Sequence, residues 1–355
     1  AAAGLPAARR CAPGGVGHLR TQAAALVAAL SAVVLLLVNE WAAIPAASVV
    51  LAALALLVGV HRTGLAMVGH LRESRAAARR RELIEDVRHA LREEAFELHF
   101  QPLVNTSTGA VRGAEALLRW PRDGRCVPPE QFLGPVERSD QIRPLTDYVL
   151  DRALAALADW RRGGHDIGVS VNLATANLLE PDLPGRVIET LRRHGVEASA
   201  LTLEITETAQ IDESALAGEV LAALDRLGVG LSVDDFGTGH SSLARLARFP
   251  IRELKIDRSF VQGMHTARRP IVAPAIELAR ALGLRTVAEG VEDRATLDAL
   301  RELACDLAQG YFISRPLPAA EFAAWLAAPR FAEGPARPAE AERAGDQPTA
   351  ASSRA

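Results

Sequence analysis

Hydrophobic residues change their spacing several times along this chain, and each change marks a segment. Residues 1–21 show no period. Residues 22–38 and 42–60 are almost wholly apolar, parted only by Asn39, Glu40 and Trp41. One helix over both runs would measure about 58 Å, roughly twice a bilayer core. Two transmembrane helices joined by a tight turn are therefore expected over 22–60. Arg9, Arg10 and Arg20 flank one side, and Arg62, Arg72, Arg75 and Arg79 to Arg81 flank the other, whereas the turn carries only an acid. The positive-inside rule then puts both ends in the cytoplasm. Two alternatives stand beside this one. The first run could be a cleaved signal peptide, which is disfavoured because a second run follows at once. The pair could also be the end of a larger membrane domain.

From 71 to 95 the sequence is charged, Ala-rich and free of Gly and Pro, with Leu83, Ile84, Val87, Leu91 and Phe96 at helical spacing. A linker helix is predicted over 61–95. It would serve as a signalling or dimerising element, or pack simply on the domain that follows. From 96 to 328 the spacing alternates between strand and helix periods. Strands are predicted at 97–103, 111–119, 167–173, 201–206, 229–235, 251–257, 284–290 and 308–314, and the clearest helices at 144–162, 184–194, 214–227, 271–282 and 293–304. This α/β rhythm over about 230 residues predicts a (β/α)8 TIM-type barrel. Only Asn105-Thr106-Ser107-Thr108-Gly109 joins the first two strands. That is too short for a helix, so the first strand should pair antiparallel. An open doubly wound sheet competes, but no GxGxxG or Walker loop supports it. Residues 329–355 read as a disordered tail.

Composition narrows the chemistry. The 355 residues carry a formal net charge of −3, which gives no electrostatic footprint for a DNA or RNA polymer. Cys11, Cys126 and Cys305 form neither a disulfide framework nor a zinc pattern. Lys255 is the only lysine in the chain. Where every other basic position is Arg, a lone Lys marks a place where a planar fork will not serve, chance survival being the alternative.

Polar residues interrupt the apolar strands. Glu115, Asn172, Glu204, Asp234, Asp235, Lys255, Glu289 and Gln309 each lie inside or at the end of such a run. One of them would have a routine explanation as a locally satisfied core group; a succession does not. In a barrel, C-terminal strand ends converge on one mouth. So many acids demand neutralisation, and oxygen donors without a His cluster select Mg²⁺, Mn²⁺ or Ca²⁺. Two ions about 3.5–4 Å apart would suit an anionic substrate and in-line attack on phosphorus. Asp234 and Asp235 are strand neighbours, so they cannot both face a core. Glu115, Leu117 and Arg119 share a face by period two. That puts Arg119 beside the acids, where its fork can hold a phosphate oxygen; a salt bridge across the barrel is the alternative.

These residues stand in GAEALLRW (113–120), VSVNLA (169–174), LEITET (203–208), VDDFGTGHSSL (233–243), LKIDRSFV (254–261), AEGVE (288–292) and AQGYFISRPLP (308–318). In that order they resemble the EAL-domain family of cyclic di-GMP phosphodiesterases. The resemblance implies a barrel with its first strand antiparallel, and hydrolysis of cyclic di-GMP to linear pGpG with two Mg²⁺ or Mn²⁺ ions. It implies Glu115, Asn172, Glu204, Asp234 and Asp235 as metal ligands, Glu289 as general base, and Lys255 as the group orienting the attacking water. It implies Gln101, Leu117 and Arg119 as substrate contacts, Gln309 as a site-lining glutamine, and Asp257 as a further acid of the substrate site. Glu207 matches an acid holding the loop 234–242, which the family links to dimerisation and activity. Glu292 matches another acid behind the site.

A homodimer through barrel and linker helix is expected, on the bacterial cytoplasmic membrane with the catalytic domain in the cytoplasm. His240 departs from the Tyr or Phe usual after GTG, the stretch 120–123 is shorter than usual, and Ala304 replaces a common Gly; none removes a catalytic group. The competing function is a non-catalytic cyclic di-GMP receptor or signalling scaffold, which the complete residue set disfavours. A metal-dependent nuclease on polynucleotides is a distant third.

Overall fold

The computed structural model describes residues 46–122, 124–206, 215–237, 249–262, 264 and 269–328. The chain divides into two compact units, Ala1–Arg81 and Glu82–Ala355. Helix α1 (Ala46–Arg92) begins in the first, where residues 51–60 are all exposed. Among the described residues no helix is long and apolar enough to cross a membrane. The first apolar run, 22–38, lies outside them. The linker expected from residue 61 is not a separate element but the continuation of α1. No Pro falls between Ala46 and Arg92, and isolated glycines such as Gly59 weaken a helix without ending it.

The second unit is the barrel. It opens with β1 (Glu97–Asn105) and β2 (Val111–Arg122). Their loop is closed by Asn105, whose Oδ1 accepts hydrogen bonds from the backbone N–H groups of Ser107 (3.2 Å) and Thr108 (2.8 Å). Then follow β3 (Arg125–Val127), α2 (Pro129–Glu137), α3 (Ile142–Arg162), β4 (Gly168–Asn172), α4 (Leu183–His194) and β5 (Leu201–Thr206). Next come α5 (Ala215–Arg226), β6 (Gly230–Phe236), β7 (Glu253–Ile256), α6 (Arg258–Val261), α7 (Arg269–Ala281) and β8 (Arg285–Ala288). The chain continues through α8 (Arg294–Glu302), β9 (Leu307–Ala308), β10 (Leu317–Pro318) and α9 (Ala319–Ala327).

From β2 through β4 to β9 neighbouring barrel strands pair parallel. Strand β1 pairs antiparallel with both β2 and β9 and closes the cylinder. The expected barrel with a reversed first strand is the one observed.

Alternation along each strand sorts the two faces. Val169, Val171, Leu201, Leu203, Ile205, Leu231, Val233 and Leu254 point outward into a core shared with Leu150, Leu154 and Leu157 of α3 and Val220, Leu221 and Leu224 of α5. Phe100 and Trp160 meet edge-on at 4.7 Å, and Phe322 of α9 packs against both with its ring tilted. Burial of these side chains, worth about 1.5–3 kcal/mol each, holds the helices on the sheet. The intervening residues face inward and are free to be polar.

One predicted strand is wrong. Of residues 308–314 only Ala308 joins the sheet, and 311–313 close into a turn. Gly310 approaches the backbone of Val291 so closely that a Cβ would lie 2.2 Å from its N and O atoms. The Phe312 N–H donates to Val291 O (3.0 Å), and the Ser314 N–H donates back to Gly310 O (3.1 Å). This pins the β9 exit to the loop after β8 and bends the chain, despite its β-favouring Tyr-Phe-Ile sequence.

Candidate active site at the barrel mouth

Lys255 lies on the inner face of β7 and is fully buried. Its Nζ bonds Glu204 Oε2 at 2.7 Å and Glu289 Oε1 at 2.7 Å, with Asp234 Oδ1 at 3.2 Å and Glu115 Oε2 at 3.5 Å. Four carboxylates from four strands or their ends therefore surround one ammonium. Burial acts against the charged form of Lys255, but Glu115, Glu204, Glu289 and Asp234 together hold its pKa well above the ordinary value. A point charge with three rotatable N–H groups can serve partners in several directions; a guanidinium fork cannot.

The acids respond unequally. Burial pushes Glu204 well up, with Lys255 opposing and the charges of Glu115 and Asp234 adding to the rise. Burial likewise lifts Glu289, to about 8. Glu115 is also buried, yet the Lys255 charge and hydrogen bonds from Gln309 and Asn172 outweigh burial and leave it below the usual carboxylate range. Those bonds are short: Gln309 Nε2 donates to Glu115 Oε2 at 2.7 Å, and Asn172 Nδ2 donates to Glu115 Oε1 at 2.8 Å. Gln309 Nε2 also donates to Gln101 Oε1 (2.9 Å), and Gln101 Nε2 to Ser314 O (3.0 Å). Gln101 thus lies behind Gln309 and Glu115 as a buried part of their hydrogen-bond web.

The end of β6 overturns one sequence argument. Strict alternation would send Asp234 and Asp235 to opposite faces. Instead the pairing register shifts between Val233 and Phe236, and Asp235 takes a left-handed conformation with φ +58°. A bulge of this kind re-aims side chains. Asp234, Asp235 and Glu289 each bring a carboxylate oxygen into a group whose members lie within 4.8 Å of one another. Burial and the charges of Asp234 and Asp257 raise Asp235 to about 6. Gly237 completes the turn at φ +100°, where a Cβ would clash with the Phe260 ring at 2.8 Å.

This donor set fits a divalent cation. Its atoms are hard carboxylate oxygens, and Glu204 Oε1 is buried without a hydrogen-bond partner, an acceptor still to be used. Asp234, Asp235 and Glu204 are the acids that could hold metal, with Asn172 and Glu115 alongside and the Glu289 carboxylate close enough to act on a water beside it.

The remaining expected residues fall around this centre. Leu117, Arg119 and Asn172 line a cavity of about 280 Å³ together with Leu133, Ile142 and Thr175. Arg119 Nη1 bonds its neighbour's carbonyl, Leu118 O, at 2.9 Å. It stands at the cavity, and among the described residues it makes no salt bridge across the barrel. Asp257 caps α6 by accepting from the Ser259 N–H (2.9 Å), and its side chain also meets Asp235. Glu292 accepts from Gln262 Nε2 at 2.7 Å and ties α6 to the loop after β8. Glu207 and His240 lie outside the described residues.

Two inward residues were overlooked, Ser232 and Glu253. Each sits two positions before a recognised group, Asp234 and Lys255, so period two alone would have placed both inside the barrel.

A closed eight-stranded barrel whose mouth carries buried acids around one lysine defines a class of metal-assisted hydrolase sites. The EAL domain family matches residues 84–316, and the chain belongs to it. It is 42% identical over 256 residues to "Cyclic di-GMP phosphodiesterase NbdA" of Pseudomonas aeruginosa, a match covering 71% of this chain and 33% of that protein. It is 39% identical over 251 residues to "Bifunctional diguanylate cyclase/cyclic di-GMP phosphodiesterase MucR" of the same organism, covering 69% of this chain and 36% of that one. The chain therefore spans about a third of the length of these curated relatives. Among solved structures, "PaMucR Phosphodiesterase, c-di-GMP complex" superposes with a TM-score of 0.64 at 39% identity, covering 68% of this chain and 99% of that chain.

Proposed function

We propose that this chain hydrolyses cyclic di-GMP to linear pGpG, using Mg²⁺ or Mn²⁺ held by the acids of the barrel mouth. The observation that carries the reading is Lys255, fully buried and bonded to Glu204 and Glu289 at 2.7 Å within the motifs of the EAL domain family. The names of the matched relatives point the same way. When bound, the ions stabilise charge developing on the phosphoryl oxygens. Glu289 takes the proton of the attacking water as general base. Lys255 orients that water and, by its charge, keeps the proton affinity of Glu289 from rising further. Gln309 and Asn172 fix both oxygens of Glu115, and Gln101 fixes Gln309. Leu117 and Arg119 receive the dinucleotide in the cavity beside them.

The test is turnover of cyclic di-GMP by the full chain, with each metal and with chelator, following pGpG by chromatography. Metal-dependent pGpG is the expected result. Binding without product in every metal would replace the enzyme with the receptor reading.

The chain is further proposed to act as a homodimer, attached to the bacterial cytoplasmic membrane by residues 22–60 with the barrel in the cytoplasm. The support is the arginine flanks and the exposed Leu51, Leu54 and Leu57. Extraction of the chain from membranes by carbonate alone would overturn the anchor, and a monomeric mass in detergent would overturn the dimer.

A further inference from the structure

Below the acids, the barrel interior changes character. The inward positions of β2 and β4 to β6 are small or hydroxylated (Gly113, Ser170, Thr202, Ser232), the adjoining β7 and β8 bring Glu253 and Arg285, and Leu103, Val287 and Leu307 form a small apolar cluster within the barrel. Ser232 and Glu253 are register partners on β6 and β7, so their side chains share the inner face. Both residues are buried, Ser232 completely and Glu253 to 2% exposure. Ser232 Oγ and Glu253 Oε1 each lack a hydrogen-bond partner. The other oxygen of Glu253, Oε2, accepts from Arg285 Nε at 2.8 Å. Arg285 is the register partner on β8 and is half exposed at the N-terminal rim.

We infer that the barrel interior binds an ordered water between Ser232 and Glu253, one layer beneath Lys255. The ligand's chemistry follows from the two orphan atoms. A carboxylate oxygen needs a donor. A serine hydroxyl can donate to an acceptor and accept in turn. Water offers two donors and two acceptors, so one molecule can meet both orphan atoms. A metal cation is the wrong ligand here, because the Glu253 charge is already offset by Arg285 and the hydroxyl brings none. The sequence Arg285–Glu253–water–Ser232 then forms a continuous chain across three strands. It fixes β7 from below at the residue two positions before Lys255, on the same face.

The first test is a crystal structure of the full chain at a resolution that shows ordered solvent. Density within hydrogen-bond reach of both Ser232 Oγ and Glu253 Oε1 is expected. A direct Ser232–Glu253 hydrogen bond, or no density between them, would overturn the inference. The second test is Ser232→Val, which fills the place of the water and removes its donor. The expected outcome is loss of the density and a thermal midpoint lower by about 3 °C. A raised midpoint would mean that the floor was dry and under-packed, and would sink the proposal. Should the variant fail to fold, the wild-type density decides alone.

Discussion

The two faces of the barrel sheet follow opposite rules. Outside, Leu203 and Leu231 are fully buried among other aliphatic side chains, and their contribution is area removed from water. Inside, on the same strands one residue away, Glu204 and Ser232 are buried too, but what each contributes depends on the polar groups within its reach and not on area. The outer face tolerates exchange of one apolar shape for another. The inner face is a balance of charges in which every group sets the state of the next. Stability is concentrated on one side of a single layer of backbone and chemistry on the other.

The sharpest way to break this comparison is at Glu289. Glu289→Gln should lower turnover by about 10³-fold, the range of a lost general base. It should leave the thermal midpoint of metal-free protein equal or higher, because a neutral amide removes the cost of burying a carboxyl that must take up a proton on folding. A parallel loss of activity and midpoint would show that the inner face is structural after all. Next, Lys255→Arg should cost at least about 10²-fold in turnover, since the larger planar group cannot meet Glu204, Glu289 and Asp234 together. Near-normal kinetics there would make the lone lysine incidental.

On the outer face, Leu203→Ala should destabilise by about 2–5 kcal/mol in denaturant unfolding, with turnover per folded molecule within a few-fold of normal. A large loss of turnover at temperatures where the variant is folded would erase the division of labour.

A smaller effect lies in pH. Folded Glu289 titrates near 8 against a reference value of 4.5, and Asp235 near 6 against 3.8. Between reference and folded values the native state holds the extra protons. Stability of chelated protein should therefore fall as pH rises from about 5 to 8. The raised Lys255 does not act in that window, because its stabilisation is lost only above the ordinary lysine range. Saturating Mg²⁺ or Mn²⁺ should flatten the slope in thermal melts; an unchanged slope would mean that the ions do not bind these acids. Smallest of all, Asp86→Asn removes an ion pair to Arg122 at 2.6 Å on the surface and should shift stability by no more than about 1 kcal/mol.

What could be read beforehand divides along the same line. The outer face writes itself into the chain as period-two hydrophobicity, which placed β5 at Leu201–Thr206 without error and the other long strands within a few residues. The inner acids were legible as interruptions of that pattern. The convergence of Asp234 with Asp235 was not, because a bulge depends on how β6 meets β7 rather than on either strand alone. The turn after β9 escaped for the same reason: Tyr311, Phe312 and Ile313 favour a strand locally, and the contact of Gly310 with Val291 decides otherwise. Arg119 was correctly put on the face of Glu115 and Leu117, but a strand period cannot say how far along the face a long side chain reaches.

The reversed first strand has a mechanical corollary. In an all-parallel barrel the chain would enter at the floor. Because β1 runs the other way, its first residue Glu97 pairs with Arg119, and the chain enters at the catalytic rim. The turns just before it seat Val87 and Ala90 against Trp120 and Phe132, beside the rim. The domain is thus tethered by its working edge, as a lid is held by a hinge. The last turns of α1 therefore meet the barrel at the rim that carries the acids and not at its floor.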